Sequence, residues 1–207
     1  MITNKTDLLE YLEADRKALN RKTNKPQKYD WIWKYQIVLR KLEYYSNVSQ
    51  NIWTKINKKY YLYKIKNYER TLNFSIPINV CERGLSIAHV GPIIINDRAQ
   101  IGKNCRIHVG VNIGAAAGNA NAVPVVGDNV YIGPGAKLFG EIRIADGVAI
   151  GANSVINKDI LEENIPPQYY EKNGEIYISP HYSTVAKPCK YTAIVVSALL
   201  CIIAGIM

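Results

Sequence analysis

The chain has 207 residues and a formal net charge of +9, with 48% hydrophobic and 21% charged residues. That length suits one catalytic-size domain plus an accessory segment. Four cysteines (Cys81, Cys105, Cys189, Cys201) form no C-x-x-C pair and no metal-ligand spacing, which argues against zinc and dithiol redox chemistry.

The first segment, residues 1–70, is basic and aromatic. It holds 16 Lys/Arg against 7 Asp/Glu, so 16 − 7 = +9, the whole net charge, and the other 137 residues sum to zero. The first twenty residues are mixed and charged, unlike a secretory leader, so a reducing cytoplasm is the expected compartment. Three helices are predicted. The first spans 6–20, with Thr6 as N-cap and a stripe of Leu8, Leu9, Tyr11, Leu12 and Leu19. After a polar loop with Pro26 comes the second, 30–45, with Trp31, Tyr35, Val38, Leu42 and Tyr45 on one face. The third, 51–68, carries Ile52, Trp53, Ile56, Tyr60, Tyr63 and many lysines. This region has two readings. One is an anionic partner: nucleic acid, a polyanionic glycan or a membrane surface. The other is a solvated lysine face on helices whose aromatics pack together or onto the next domain. Charge runs usually mark exposed faces, which favours the second, and no nucleic-acid motif is present.

Residues 71–160 form the next domain, and its period is six. Ile95, Ile101, Ile107 and Ile113 are six apart. The phase breaks over 114–125 and resumes through Val126, Ile132, Leu138, Ile144, Ile150 and Ile156. Small or β-branched residues follow four places later, at Ala99, Cys105, Val111, Val130, Ala136, Ile142, Val148 and Ser154. A helix repeats near 3.6 and a half-buried strand near 2. A period of six predicts a parallel β-helix, three hexapeptides to a triangular coil, with about four coils stacking into one aliphatic column. Cys105 falls on an inward position. The spacing alone does not give the hand of the coil.

Residues 161–190 read as an irregular wrap or short strands. Residues 191–207 are apolar and uncharged, preceded by Lys187 and Lys190. Seventeen residues is the short edge of what crosses a bilayer. A membrane anchor and a buried terminal helix are the two readings.

The chemistry must come from side chains on this scaffold. His181 lies in the tail. Counting back eighteen residues, one coil, places His108 beside Val90, next to His89, so the two imidazoles become wall neighbours. The excursion 114–125 follows His108 and could cover that wall. An imidazole is the usual base for a hydroxyl proton, and Gly-rich corners offer N–H donors to a developing oxyanion. Counting six back from Ile95 also places His89 at an inward position, unless Gly91-Pro92 slips the register. A structural histidine with a satisfied hydrogen bond is the competing reading.

The runs at 84–89 (GLSIAH), 93–95 (III), 101–102 (IG), 111–114 (VNIG) and 126–137 (VGDNVYIGPGAK), around the same loop, resemble serine acetyltransferases and their relatives in capsule and exopolysaccharide gene clusters. The helical runs at 11–16 (YLEADR) and 31–45 (WIWKYQIVLRKLEYY) resemble those relatives too. The resemblance implies a left-handed β-helix with an N-terminal helical segment, assembled as trimers or hexamers. It implies acetyl-CoA as co-substrate and His89 as the catalytic histidine; His108, its wall neighbour by spacing, is the second catalytic candidate, and no metal is expected. It assigns the coenzyme groove to Gly114, Ala115, Pro134 and Gly135, and Asn112 is a further coenzyme-binding candidate. Three positions depart from the family: Ala88 replaces an aspartate, the carboxylate that orients the histidine would fall near Phe74, and Ala122-Val123 replace an Arg-His pair. The Gly-x-Pro-Ala motif that closes the groove is missing after Asn164. Glu82 or Asn79 is the substitute orienting group considered for His89. Those losses favour a sugar hydroxyl over serine as acceptor. True serine acetylation and a non-catalytic trimeric scaffold remain the alternatives. Membrane contact through 191–207 is a further expectation, and nucleic acid is not expected.

Overall fold

The computed structural model describes residues 1–161 and, beyond them, the backbone of two strands, Tyr169–Lys172 and Glu175–Ile178, which pair antiparallel. The expectations for 191–207 and His181 lie outside the described residues.

Three helices come first. Helix α1 is Lys5–Ala18, and its cap is Asn4 rather than Thr6. Asn4 Oδ1 accepts from the Asp7 N–H at 2.9 Å, and Asp7 reaches back to the Asn4 N–H. This reciprocal pair satisfies two N–H groups that Thr6 would leave open. Helix α2, Trp31–Asn47, is capped by Asp30. Helix α3, Ile52–Leu72, is capped by Asn51 and ends at Asn73 in the left-handed conformation.

α2 packs against both other helices. Eight of its residues are buried, including Trp33, Tyr35, Val38, Leu39 and Leu42, while Trp31 faces out. α3 turns its Ile65–Leu72 side inward, and the predicted stripe of Ile52, Trp53, Ile56, Tyr60 and Tyr63 is exposed. The stripe therefore does not pack onto the coils, but aromatics of the segment do pack together: Tyr60 stands edge-on to Tyr61 at 5.0 Å and Tyr61 stacks on Tyr45 at 5.5 Å.

Twelve short strands follow: β1 (Phe74–Ser75), β2 (Ser86–Ile87), β3 (Ile93–Ile95), β4 (Gln100–Ile101), β5 (Arg106–Ile107), β6 (Asn112–Gly114), β7 (Val125–Val126), β8 (Tyr131–Ile132), β9 (Lys137–Phe139), β10 (Arg143–Ile144), β11 (Ala149–Ile150) and β12 (Val155–Ile156). They form three parallel walls: β1-β3-β6-β9-β12, β4-β7-β10 and β2-β5-β8-β11. Each strand therefore pairs with the one a full coil away, as the six-residue period requires. Ile95, Ile101, Ile107, Ile113, Val126, Ile132, Leu138, Ile144 and Ile150 are all buried in one column, and Ile156 ends it half-buried. Cys105 is inside, as expected.

Corners between walls need tight left-handed turns. Asn104, Asn129 and Asn153 supply them at φ 56°, 58° and 57°. Asn is the non-glycine residue best suited to that region. Gly133 serves a different need: a Cβ there would lie 2.8 Å from the Ile150 carbonyl and the Ala152 N–H.

The helices close the open end of the column. Tyr35 stands edge-on to Phe74 with ring centroids 5.0 Å apart, and one buried cluster runs from α2 into the coils. A solenoid needs such an end cap, because the first coil has no preceding coil to pair with. Truncation inside the column is expected to be costly. Ile132 is fully buried, so Ile132→Ala should lower stability by about 2–5 kcal/mol in chemical denaturation.

Candidate active site

The first coil is longer than the others at one corner. Ile95 pairs with Ile113, eighteen residues on, but Ile87 pairs with Ile107, twenty residues on. The surplus lies between β2 and β3, where Ala88–Pro92 matches only His108–Gly110 in the next coil. The Ala88 N–H donates to the Ile107 carbonyl, and the Gly110 N–H donates to the Pro92 carbonyl. A Cβ on Gly91 would meet Val109 at 2.5 Å, so Gly91 sits directly on the next coil. Two residues, His89 and Val90, are left to bulge outward. His89 is exposed rather than inward, so Gly91-Pro92 does slip the register.

The slip also changes the stacking. His108 lies in register with Ala88, not with Val90, because the eighteen-residue count ignores the two surplus residues. The imidazoles still meet. Their centroids are 5.7 Å apart, tilted by 60°. His108 packs in turn against Tyr131 at 4.9 Å, and its Nε2 accepts from Arg106 Nε at 3.3 Å. Arg106 also donates to Ser86 Oγ at 3.0 Å. Arg106, Ser86 and Tyr131 were missed in the sequence. They sit at matching positions of one wall, but spacings of twenty and twenty-five residues hide the match.

Burial pushes the His108 pKa below its ordinary 6.5, and the charges of Arg106 and His89 push the same way. His108 is therefore neutral at physiological pH. The unfolded state binds the proton first as pH falls, so this group's contribution to stability is full above about 6.5 and declines below it. An NMR titration should place the His108 midpoint below 6.5.

Neither proposed orienting group reaches His89. Glu82 is held by the Tyr11 hydroxyl and the N-terminal ammonium, and Asn79 pairs with Asn47. The 114–125 loop does not cover the histidines within the chain. It leaves β6 at the far edge of the wall, and Arg98 holds it there through the Ala120 carbonyl and Asn121.

The coenzyme candidates lie across one wall. Pro134 and Gly135 form the corner below His108: the Gly135 N–H donates to the Val109 carbonyl at 2.9 Å. Asn112 lies mid-wall beside Lys137, and Gly114 and Ala115 lie at the opposite edge, where Gly114 pairs with Phe139. The five residues thus trace a path from the histidine corner to the loop. Exposed Ile94, Phe139 and Val155 share that outer face. A separate cleft of about 590 Å³ opens beside the bulge, lined by Val90, by Arg21, Lys22, Lys28 and Tyr29 of the α1–α2 loop, and by Trp31 at the start of α2. Among the described residues no cluster of His, Cys, Asp or Glu could hold a metal ion.

The bacterial transferase hexapeptide (six repeats) family matches residues 124–158. Serine acetyltransferase of Synechococcus elongatus is 35% identical over 97 residues, 44% of this chain and 40% of that protein. Serine acetyltransferase of Buchnera aphidicola is 32% identical over 121 residues, 52% of this chain and 44% of that protein. The matches thus span less than half the length of these relatives. Among solved structures, native serine acetyltransferase 1 from Entamoeba histolytica aligns over 76% of this chain and 61% of its own, with TM-score 0.55 and 24% identity. Soybean serine acetyltransferase apoenzyme aligns over 80% and 66%, with TM-score 0.57 and 22% identity.

Residues 124–158 thus carry the hexapeptide repeat, and the repeat domain is similar to that of the serine acetyltransferases. Its coil is a left-handed parallel β-helix. Phe74 is 3% exposed and packed on Tyr35, so the place expected for an orienting carboxylate is apolar core. Ala122 is buried and Val123 half-buried, so the end of the loop offers no charged side chain. Ala88 is half-buried.

Proposed function

We propose that the protein is an acetyl-CoA-dependent O-acetyltransferase with His89 as general base. The observation that carries this reading is the two-residue bulge. It lifts His89 out of the column into solvent reach, beside His108, at the corner that Pro134 and Gly135 continue.

The chemistry is direct transfer. His89 takes the proton of an acceptor hydroxyl as the oxygen attacks the thioester carbonyl. The tetrahedral intermediate collapses, the C–S bond breaks, and the imidazolium returns its proton to the departing sulfur. Neutral His108 supports this, because a cation there would oppose the imidazolium. Asn112, Gly114, Ala115, Pro134 and Gly135 are the groups proposed to hold the coenzyme along the wall. The exposed Ile94, Phe139 and Val155 on the same face fit a groove closed by a neighbouring coil, hence a homotrimer, with pairing of trimers into a hexamer as the larger assembly. We place the enzyme in the cytoplasm, where the buried free thiols of Cys81 and Cys105 stay reduced.

The relatives' names favour L-serine as acceptor over the sugar expected from the sequence. A sugar hydroxyl, as in capsule or exopolysaccharide, is the second reading. It rests on Phe74 and Ala122-Val123, which offer no polar grip on serine, and on the cleft beside Val90, roomier than serine needs.

The test is CoA release from acetyl-CoA with L-serine against a panel of sugars and capsule oligosaccharides. Turnover with serine would establish the first reading, and turnover with a sugar alone the second. No turnover combined with no coenzyme binding in calorimetry would leave a scaffold.

A further inference from the structure

α3 presents its aromatic stripe to solvent. Ile52, Ile56, Tyr60 and Tyr63 recur at i, i+4, i+8 and i+11, the spacing of one helix face, with Trp53 at its edge. They are 67%, 51%, 49%, 69% and, for Trp53, 72% exposed. The other side of the helix, with Ile65 and Leu72, already serves the core. Lysines frame the stripe: Lys55, Lys59 and Lys66 run along one border and Lys64 stands on the other, its ammonium 4.7 Å from the Tyr60 ring centroid. α3 carries six cations and one carboxylate, Glu69, which pairs with Lys66. Lys55, Lys58 and Lys59 have no carboxylate partner among the described residues.

We infer that this face of α3 docks on an anionic lipid bilayer, lying in the interface. An exposed apolar stripe with Trp and Tyr, bordered by lysines, is the chemistry of an interfacial helix. The aromatics enter the headgroup boundary, and the lysine stems lie along it with their ammonium groups on acidic headgroups. No described helix is long and apolar enough to cross a membrane, so this one lies on the surface. Other occupants fit less well. A two-fold copy would set one helix of net charge 6 − 1 = +5 against another. Lysine is depleted at protein interfaces. A nucleic acid backbone would use the lysines but gives Ile52 and Ile56 nothing to bury against.

The test is co-sedimentation of the full chain with phosphatidylcholine vesicles, with and without phosphatidylglycerol. The wild type should bind only the anionic vesicles. The double variant Trp53→Glu/Ile56→Glu should bind about tenfold less or weaker still, with an unchanged unfolding midpoint because both residues are exposed. Lys55→Gln/Lys59→Gln should lose about fivefold per lysine and show a weaker salt dependence. Three results would overturn the inference. One is no binding by the wild type. Another is undiminished binding by Trp53→Glu/Ile56→Glu, which would place the lipid contact in the apolar run 191–207. The last is a larger assembly in light scattering that the same variant splits, which would give the face to a second copy.

Discussion

His89→Ala is expected to lower kcat for acetyl transfer by about 10²–10⁴-fold, the usual contribution of a positioned general base. The residue is exposed on a corner bulge and no hydrogen bond of the fold runs through its ring, so stability should change by no more than about 0.5 kcal/mol. That separation makes the test clean. A thermal midpoint equal to wild type, with CoA release lost, assigns the defect to chemistry. Unchanged kcat would remove His89 from the mechanism. His108→Ala should behave differently. It takes away a ring packed between His89 and Tyr131 and frees Arg106 from its Nε2 contact. A smaller fall in kcat, together with some loss of stability, is the outcome for a group that supports the base without replacing it.

The second large effect lies far from the histidines. Arg40 is fully buried on α2. Its guanidinium meets Asp15 of α1 at 2.8 Å and Glu43 at 3.0 Å, and it donates to the carbonyls of Cys81 and Glu82 at 2.7 and 2.8 Å. Asp15 also accepts from the Gly84 and Leu85 N–H groups, and Glu43 from the Asn79 N–H. Burial opposes the charge on Arg40, but the two carboxylates overcome it and hold its pKa well above the ordinary value. Arg40→Met would leave both carboxylates buried without a cation and two backbone carbonyls without a donor. The expected loss is about 3–5 kcal/mol in chemical denaturation, the range for breaking a buried ion pair from one side. Asp15→Asn keeps an acceptor for Gly84 and Leu85 and should cost less. Equal losses in the two variants would show that the charge pairing, which both remove, and not the backbone contacts that Asp15→Asn keeps, holds α1 to the first coil. This cluster ties the helices to the turn that leads into β2, and β2 carries the chain to His89.

The aliphatic column was legible because strand geometry is rigid. Each short strand turns one large side chain inward, so three strands per coil must recur every six residues, and Ile101, Ile107 and Ile113 record that directly. Helix positions were legible from apolar spacing, with small errors at the ends: Asn4 caps α1 because Asp7 can answer it, a pairing the Thr6 assignment overlooked. The site was only half legible. His89 and His108 were placed together, but by a count that put His108 against Val90. The true register is set by two surplus residues between Ile87 and Ile93, and a corner insertion has no period of its own. Arg106 and Tyr131 escaped for the same reason.

What the sequence by itself determined is the repeat, the inward residues, the helical segment with all the net charge, and the two histidines in adjacent coils. These follow from local geometry, where spacing along the chain equals spacing in space. The tertiary structure alone decided which way faces turn. Amphipathic spacing shows that α3 has an aromatic stripe but not that its other side is taken by the core, which leaves Trp53 and Tyr63 in solvent. It decided that His89 points outward, because Gly91 and Pro92 dock on the next coil and expel the residues between. It also decided that Glu82 and Asn79 belong to the junction between helices and coil rather than to the histidine. Each depends on a contact between distant segments, and neither propensity nor period carries that information.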